Sequence, residues 1–148
     1  SFFTDCSAEL IYCSHALEYF DRDQAKKALI EWNRVLKPDG ILRLAVPDFQ
    51  ALIKVYQQAE ELNAVLGPLY GKMTIERDRG SATIYHKTVF DTNSLSALLT
   101  ECGFVDPAHW DWRTTEHAHI DDHSQAYYPH MQKDSGILVS LNMEVRKP

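Results

Sequence analysis

The front of the chain alternates two apolar, strand-like runs with one amphipathic helix, and this alternation restricts the fold more than any other feature. Residues 9–14 are apolar and rich in strand formers, and residues 41–46 are almost continuously apolar, which is typical of a parallel strand covered on both faces. Between them, apolar residues recur at helical spacing over residues 23–36. A strand, a helix and a parallel strand form a right-handed crossover in an open α/β sheet.

The predicted helices have recognisable start and stop signals. Asp21 or Asp23 can cap the first helix, and residues 37–40 (KPDG) supply a cation, a helix breaker and a turn glycine after it. Asp48 is expected to cap a second helix that continues to about Leu66 and ends at residues 67–68. The predicted buried face of that helix carries Phe49, Leu52, Ile53 and Tyr56.

The second half of the chain mixes one helix, two strands and irregular segments. Residues 67–88 have no clear period and are interpreted as an excursion from the sheet that could act as a lid. Asp91 or Thr92 opens a third helix, Gly103 suits its left-handed C-cap, and a strand begins near Phe104. Residues 107–135 are irregular and hold most of the histidines, whereas residues 137–145 alternate with a period of two, which favours an antiparallel strand. Without a linker or repeat, residues 1–148 are predicted to form one domain.

Composition disfavours several classes of function. The chain has 15 basic and 21 acidic side chains, and a formal net charge of −6 argues against sequence-independent nucleic-acid binding. No apolar run approaches the ~20 residues of a membrane span, and the first 20 residues lack a secretory layout. Three cysteines without a C-x-x-C pattern favour reduced thiols and a cytoplasmic location. The six glycines are too scattered for a G-x-G-x-x-G motif or a P-loop.

The carboxyl ends of the two predicted parallel strands are the first candidate site, because ligands of open α/β sheets bind there. Ser14 and His15 end the first strand, and Pro47 and Asp48 end the second. His15 is either a general base near a substrate or a residue that orients the helix after it. Asp48 is foremost an N-cap, with a role in substrate binding as the alternative.

Several motifs in register are similar to one family. Residues 9–20 (ELIYCSHALEYF), 32–40 (WNRVLKPDG) and 42–48 (LRLAVPD) resemble small S-adenosylmethionine-dependent methyltransferases with a HxLEHF segment, an RVLKPGG turn and a VPD strand end. Residues 92–104 and 140–147 are similar to that family's L..LL..aGF helix and SLN.EA.K closing strand. Asp39 replaces the first glycine of the turn, and Tyr19 replaces the usual histidine.

The resemblance implies a partial Rossmann-like methyltransferase sheet made of the later strands, the last one antiparallel, with flanking helices. Family members have three strands before the one equivalent to residues 9–14, with a glycine-rich cofactor loop after the first and an acidic residue for the ribose after the second. We therefore expect a C-terminal part of such a domain, which binds S-adenosylmethionine weakly or not at all. The strand at residues 9–14 would then be an open edge, which predicts a homodimer through that edge.

The resemblance and the strand ends together give a set of candidate site residues. The predicted catalytic residues are His15 and Asp48, the cofactor-binding residues are Ser14, His15 and Ala16, and the substrate-binding residues are Tyr85, His86, Asp121 and Asp122. The predicted function is methyl transfer to a small-molecule or sugar-type acceptor, with no metal ion. Two alternatives remain: a non-catalytic self-association module, and a metal-binding protein that uses the histidines and aspartates of residues 117–123.

Overall fold

The computed structural model describes residues 2–77, 80–130 and 132–148. Its strands are β1 (Ala8–Ser14), β2 (Leu36–Pro47), β3 (Met73–Arg77), β4 (Gly80–Ile84), β5 (Val105–His109), β6 (Tyr127–Tyr128), β7 (Ile137–Leu138) and β8 (Ser140–Arg146). Its α-helices are α1 (Arg22–Val35), α2 (Phe49–Ala59), α3 (Asn63–Tyr70) and α4 (Thr92–Glu101). Short 3₁₀ turns occur at Leu17–Tyr19, Trp112–Thr114 and His123–Gln125.

The centre of the fold is a four-stranded sheet with the order β1-β2-β8-β5. Strands β1 and β2 are parallel, β8 is antiparallel to β2, and β5 is antiparallel to β8. The predicted α/β class and the predicted antiparallel last strand are therefore confirmed. Within the described residues β1 is an edge strand of this sheet.

Helices α1 and α4 form where the sequence places their caps. The Asp21 side chain accepts a hydrogen bond from the Gln24 amide, and Asp91 does the same for Ser94; both pairs complete a capping box. Gly103 lies at φ +89°, as predicted for the residue after α4. Both helices pack on one face of the sheet, where Leu29, Leu44 and Leu99 are fully buried in the same apolar cluster.

Three predicted boundaries are wrong. Strand β2 begins at Leu36 rather than residue 41, because Leu36 already pairs with Ala8 while Asp39, at φ +61°, forms an irregularity within the strand. The predicted second helix is two helices, since Glu60 adopts a left-handed conformation after α2. The predicted stop at residues 67–68 is also wrong, because Pro68 lies inside α3 and Gly71, at φ +50°, follows the helix.

The buried face of α2 differs in part from the predicted one. Ala51, Leu52 and Val55 are buried against α3 and β7, whereas Phe49, Ile53 and Tyr56 are exposed. After α3 the chain forms the antiparallel hairpin β3–β4 within the predicted excursion. Residues 78 and 79 of that excursion lie outside the described residues, as does residue 131 of the predicted irregular segment. None of the helices described here is long and apolar enough to cross a membrane.

Candidate active site

A cavity of about 480 Å³ lies at the carboxyl ends of β1 and β2. Its walls come from five parts of the chain: the end of β1 with the 3₁₀ turn after it, the end of β2, the end of α3 with the start of β3, the segment after β4 that carries His86, and the residues just before β6 and β8. The polar side chains in these walls are His15, Glu18, Tyr19, Lys72, His86 and His123. The cavity therefore lies where open α/β sheets bind ligands.

His15 is fixed at the end of β1 by its backbone and by one ring nitrogen, Nε2. Its φ of +48° turns the chain out of the strand, and its amide still donates to the Ala45 carbonyl over 2.8 Å. Its Nε2 lies 3.0 Å from the Ser140 hydroxyl, which itself donates to Asn142 Oδ1 over 2.8 Å. Because that hydroxyl has only one proton to donate, it must accept from His15, so Nε2 carries a hydrogen.

Glu18 is the most deeply buried charged group of the site, with no exposed surface. Its Oε1 lies 3.4 Å from His15 Nδ1 and 3.7 Å from His86 Nε2. Neither carboxyl oxygen accepts a hydrogen bond of good geometry from the described residues. A buried carboxyl group without such bonds costs free energy, and the two imidazoles beside it do not donate to it.

His86 ties the α3–β3 connection to this carboxyl group. Its Nδ1 donates to the Pro68 carbonyl over 2.9 Å, and its amide donates to Tyr70. Burial lowers the pKa of His86, and the charge of Glu18 opposes that effect only in part. His86 is therefore neutral at physiological pH, with Nε2 facing Glu18 as a bare nitrogen.

Gly71 allows His86 to pack this closely. A Cβ on Gly71 would lie 1.9 Å from His86 Nε2, and its φ of +50° also disfavours other residues. Tyr19 donates a hydrogen bond to the Gly71 carbonyl over 2.8 Å and contacts the His86 ring edge-on at 4.6 Å. The 3₁₀ turn after β1 and the α3–β3 connection are thereby held together over the cavity.

The structure brings only some of the predicted site residues together. His15 and His86 line the cavity, but Asp48 does not, because its carboxylate accepts from the amides of Gln50 and Ala51 at the start of α2 and borders a second depression of about 410 Å³. Tyr85 is exposed and does not line the cavity.

Four other predicted positions lie around the cavity rather than in its walls. Asp121 is exposed and pairs with Lys133, while Asp122 accepts a 2.7 Å hydrogen bond from Tyr12; both border a third depression of about 340 Å³. The Ser14 hydroxyl is buried next to Asp122 and helps to lower its pKa, an effect that burial opposes. Ala16 is exposed at the start of the 3₁₀ turn.

Four polar cavity residues were missed by sequence reasoning: Glu18, Tyr19, Lys72 and His123. Glu18 lies in the 3₁₀ turn after β1, and the sequence pattern there does not distinguish a buried carboxyl group from an exposed one. His123 was grouped with the histidines of residues 117–123 as a candidate metal ligand. The structure separates that group: His117 stacks on Tyr12 at 3.8 Å, whereas His123 lies beside His15. Among the described residues no three acidic, histidine or cysteine side chains converge as metal ligands.

The chain is similar to known methyltransferases in part of its sequence and in its fold. Residues 2–44 match a family model described as a methyltransferase domain. An S-adenosylmethionine-dependent methyltransferase of Methanosarcina mazei aligns with a TM-score of 0.55 and 18% identity over 99% of this chain and 62% of its own. One of Thermotoga maritima aligns with a TM-score of 0.56 and 15% identity over 100% of this chain and 60% of its own. No curated protein matches.

A third structure contains a bound product of the cofactor. The 1,6-didemethyltoxoflavin-N1-methyltransferase of Burkholderia thailandensis, solved with its substrate and S-adenosylhomocysteine, aligns with a TM-score of 0.51 and 14% identity over 99% of this chain and 47% of its own. The chain thus spans about half to two thirds of the proteins whose fold it shares. The resemblance predicted from the sequence is confirmed by the family model and by the shared fold.

The residues present do not by themselves fit S-adenosylmethionine, the cofactor that the resemblance implies. The 148 residues contain no glycine-rich loop of the G-x-G type. At the described strand ends, the carboxylate of Asp48 is engaged by backbone amides, and that of Glu18 is buried between two imidazoles. No free carboxylate therefore remains at the described ends of β1 and β2 for the ribose hydroxyl groups.

Proposed function

Because the chain has the fold of S-adenosylmethionine-dependent methyltransferases and matches their domain model over residues 2–44, we propose that it forms the acceptor-binding side of such an enzyme. The observation that supports this proposal best is the cavity of about 480 Å³ at the carboxyl ends of β1 and β2. A volume of that size suits a small-molecule acceptor. The cavity is lined both by apolar residues, including Pro47, Met73 and Val139, and by imidazoles, so an acceptor with an apolar body and a polar group is favoured.

The proposed roles follow the position of each residue around the cavity. His15 and His86 form the acceptor wall, with Glu18 behind them. Ser14 and Ala16 lie next to His15, on the side proposed to face the methyl donor. Asp121 and Asp122 shape the entrance from the neighbouring depression. Asp48 is proposed to act through α2, since its carboxylate caps that helix.

The residues of this chain do not form a complete binding site for S-adenosylmethionine. S-adenosylmethionine would supply the methyl group, but this chain alone is expected to bind it weakly or not at all. Calorimetric titration of the 148-residue chain with S-adenosylmethionine tests this expectation directly. Micromolar affinity would show that the chain has a cofactor site of its own and would refute the proposal that it is incomplete.

Acceptor binding is tested separately from cofactor binding. We expect small phenols and amines, such as catechol and histamine, to shift the backbone amide signals of His15, Gly71 and Ala126 in nuclear magnetic resonance titrations. Ala126→Phe places a large ring in the cavity wall and should abolish the shifts, whereas Ala108→Phe, on an exposed part of β5, should not. Shifts that survive Ala126→Phe would refute the cavity as the binding site.

A second candidate function, self-association, is favoured by the position of β1 at the edge of the described sheet. An edge strand of seven residues presents unpaired backbone groups to which a second copy of the chain can add a strand. Phe2 and Phe3, just before this strand, are exposed and could be covered in the same contact. Sedimentation velocity at low salt is expected to show a homodimer, and a monomer at all concentrations would refute this candidate.

A further inference from the structure

The three imidazoles that line the cavity differ in which ring nitrogens are engaged. His15 uses Nε2 toward Ser140 and directs Nδ1 at Glu18. His86 donates from Nδ1 to the Pro68 carbonyl and directs Nε2 at the same carboxyl group. All four of these nitrogens face protein atoms, so neither ring has a nitrogen free to take a proton from a ligand in the cavity.

His123 is the exception among these three. Neither of its ring nitrogens has a hydrogen-bond or ion-pair partner among the described residues, and its side chain is exposed. Its ring centroid lies 5.3 Å from that of His15, and the residue lines both the cavity and the neighbouring depression. An imidazole in this position can contact a ligand and exchange protons with solvent.

The backbone of His123 is held firmly even though its ring is free. Asp122 accepts from the Ser124 amide over 2.8 Å and so caps the 3₁₀ turn that begins at His123. The Ser124 carbonyl accepts from Asn142 Nδ2 over 2.9 Å, which ties the turn to β8. A general base needs a ring nitrogen that is free to accept a proton, and the held backbone keeps this ring at the cavity.

We propose that His123, rather than His15, is the catalytic residue that takes the proton from the methyl acceptor. This inference rests on the proposed methyltransferase function and names the acceptor class as a small molecule with a hydroxyl group or a protonated amine at its reactive atom. The O–H or N–H bond breaks, its electron pair stays on the oxygen or nitrogen as the nucleophile, and the proton moves to the bare ring nitrogen. The proton then leaves to solvent through the exposed edge of the ring.

Charged and titratable groups lie on both sides of His123. On the cavity side these are His15, Glu18, Lys72 and His86. On the side of the neighbouring depression they are Asp121, Asp122 and His130. Glu18 is shielded by the two engaged imidazoles, so the carboxylates nearest to solvent around His123 are the two aspartates.

The first test measures ring availability without any activity. The 148-residue chain is treated with diethyl pyrocarbonate, which acylates unprotonated and accessible imidazole nitrogens, and each site is quantified by mass spectrometry. We expect His123 to react about tenfold faster than His15 or His86, because releasing an engaged nitrogen costs about 1.4 kcal/mol. Faster modification of His15 than of His123 would overturn the proposal.

The second test links His123 to the acceptor. Bound catechol is expected to protect His123 from acylation and to leave the exposed His119 unprotected. If catechol shifts the cavity amide signals but leaves His123 unprotected, the His123 assignment fails while acceptor binding stands. If neither catechol nor histamine binds, the proposed function fails, and the acylation order still decides whether the His123 ring is free.

Discussion

The stability of this protein should fall as the pH drops below about 6.5, and two buried histidines are the reason. The side chains of His86 and His117 are only 7% and 10% exposed, and burial lowers the pKa of each below its ordinary value. Both are therefore neutral in the folded protein at a pH where the unfolded chain already binds protons. The stability is fully present above the unfolded value and is lost as the pH falls toward the folded ones.

The size of the effect follows from proton linkage. Each histidine that stays neutral in the folded state while its unfolded counterpart is charged contributes a slope of at most about 1.4 kcal/mol per pH unit. Over one pH unit the two together lower the free energy of unfolding by at most about 2.8 kcal/mol, which is a large part of the ~5–15 kcal/mol typical of a domain. Carboxylates with lowered pKa values, such as Glu116 and Asp122, act in a lower window, near and below about pH 4.

Urea unfolding between about pH 7.5 and 5.5 separates these contributions. His86→Gln and His117→Gln should each flatten the dependence of the free energy of unfolding on pH, and the double variant should remove most of it. His119→Gln, an exposed control, should keep the wild-type slope. A wild-type slope in both single variants, or a stability that rises as the pH falls, would refute the assignment of neutral buried imidazoles.

Three further predictions concern single contacts, each measured by urea unfolding. Gly71→Ala should lower the free energy of unfolding by about 1–3 kcal/mol, because Gly71 has a φ of +50° and an added Cβ would meet His86. Gly67→Ala, with open space around the added Cβ, should be neutral or stabilising. Equal effects of the two substitutions would contradict the packing argument. Asp21→Ala should lower the free energy of unfolding by about 1 kcal/mol through loss of the α1 cap, whereas Asp23→Ala, two residues later in the first turn, should cost only a few tenths. The reverse order would be inconsistent with the cap. Tyr12→Phe should lower the free energy of unfolding by about 1 kcal/mol, because the Asp122 carboxylate loses a hydrogen bond from the phenol. The same loss should raise the pKa of Asp122, and an unchanged pKa would argue against that bond.

The periodic elements of this fold are predictable from the sequence because each combines a pattern with an end signal. Helix α1 has both an apolar stripe and Asp21 before it, and β8 has a clean alternation over its length. The errors occur where tertiary contacts override local signals. Leu36 joins β2 because Ala8 is available for pairing, although the four residues after it resemble a turn. Pro68 stays helical because α3 is short and packed against α2.

The candidate site was predictable in its location but only partly in its residues. The rule that ligands bind at the carboxyl ends of parallel strands led to His15, and the cavity lies there. The same rule led to Asp48, which does lie at the end of β2. Its carboxylate caps α2, however, and does not line the cavity. Glu18 could not be recognised, because a single acidic residue in an apolar turn has the same pattern whether its side chain faces solvent or the interior.

The choice between two histidines as the base depends on a residue that does not line the cavity. Asn142 directs its Oδ1 at Ser140 only because its Nδ2 is bound to the Ser124 carbonyl, and this orientation fixes the proton on His15 Nε2. An Asn142→Asp variant offers only acceptor oxygens to Ser140 and Ser124, so the Ser124 carbonyl loses its donor and the turn that carries His123 loses its tie to β8. The acylation rate of His123 should then change, whereas the His15 tautomer, read from its ring nitrogen chemical shifts, should stay the same because a carboxylate oxygen still accepts from the Ser140 hydroxyl. A changed His15 tautomer would refute the orientation assigned to Asn142, and an unchanged His123 rate would refute the role of Asn142 in holding the turn that carries His123.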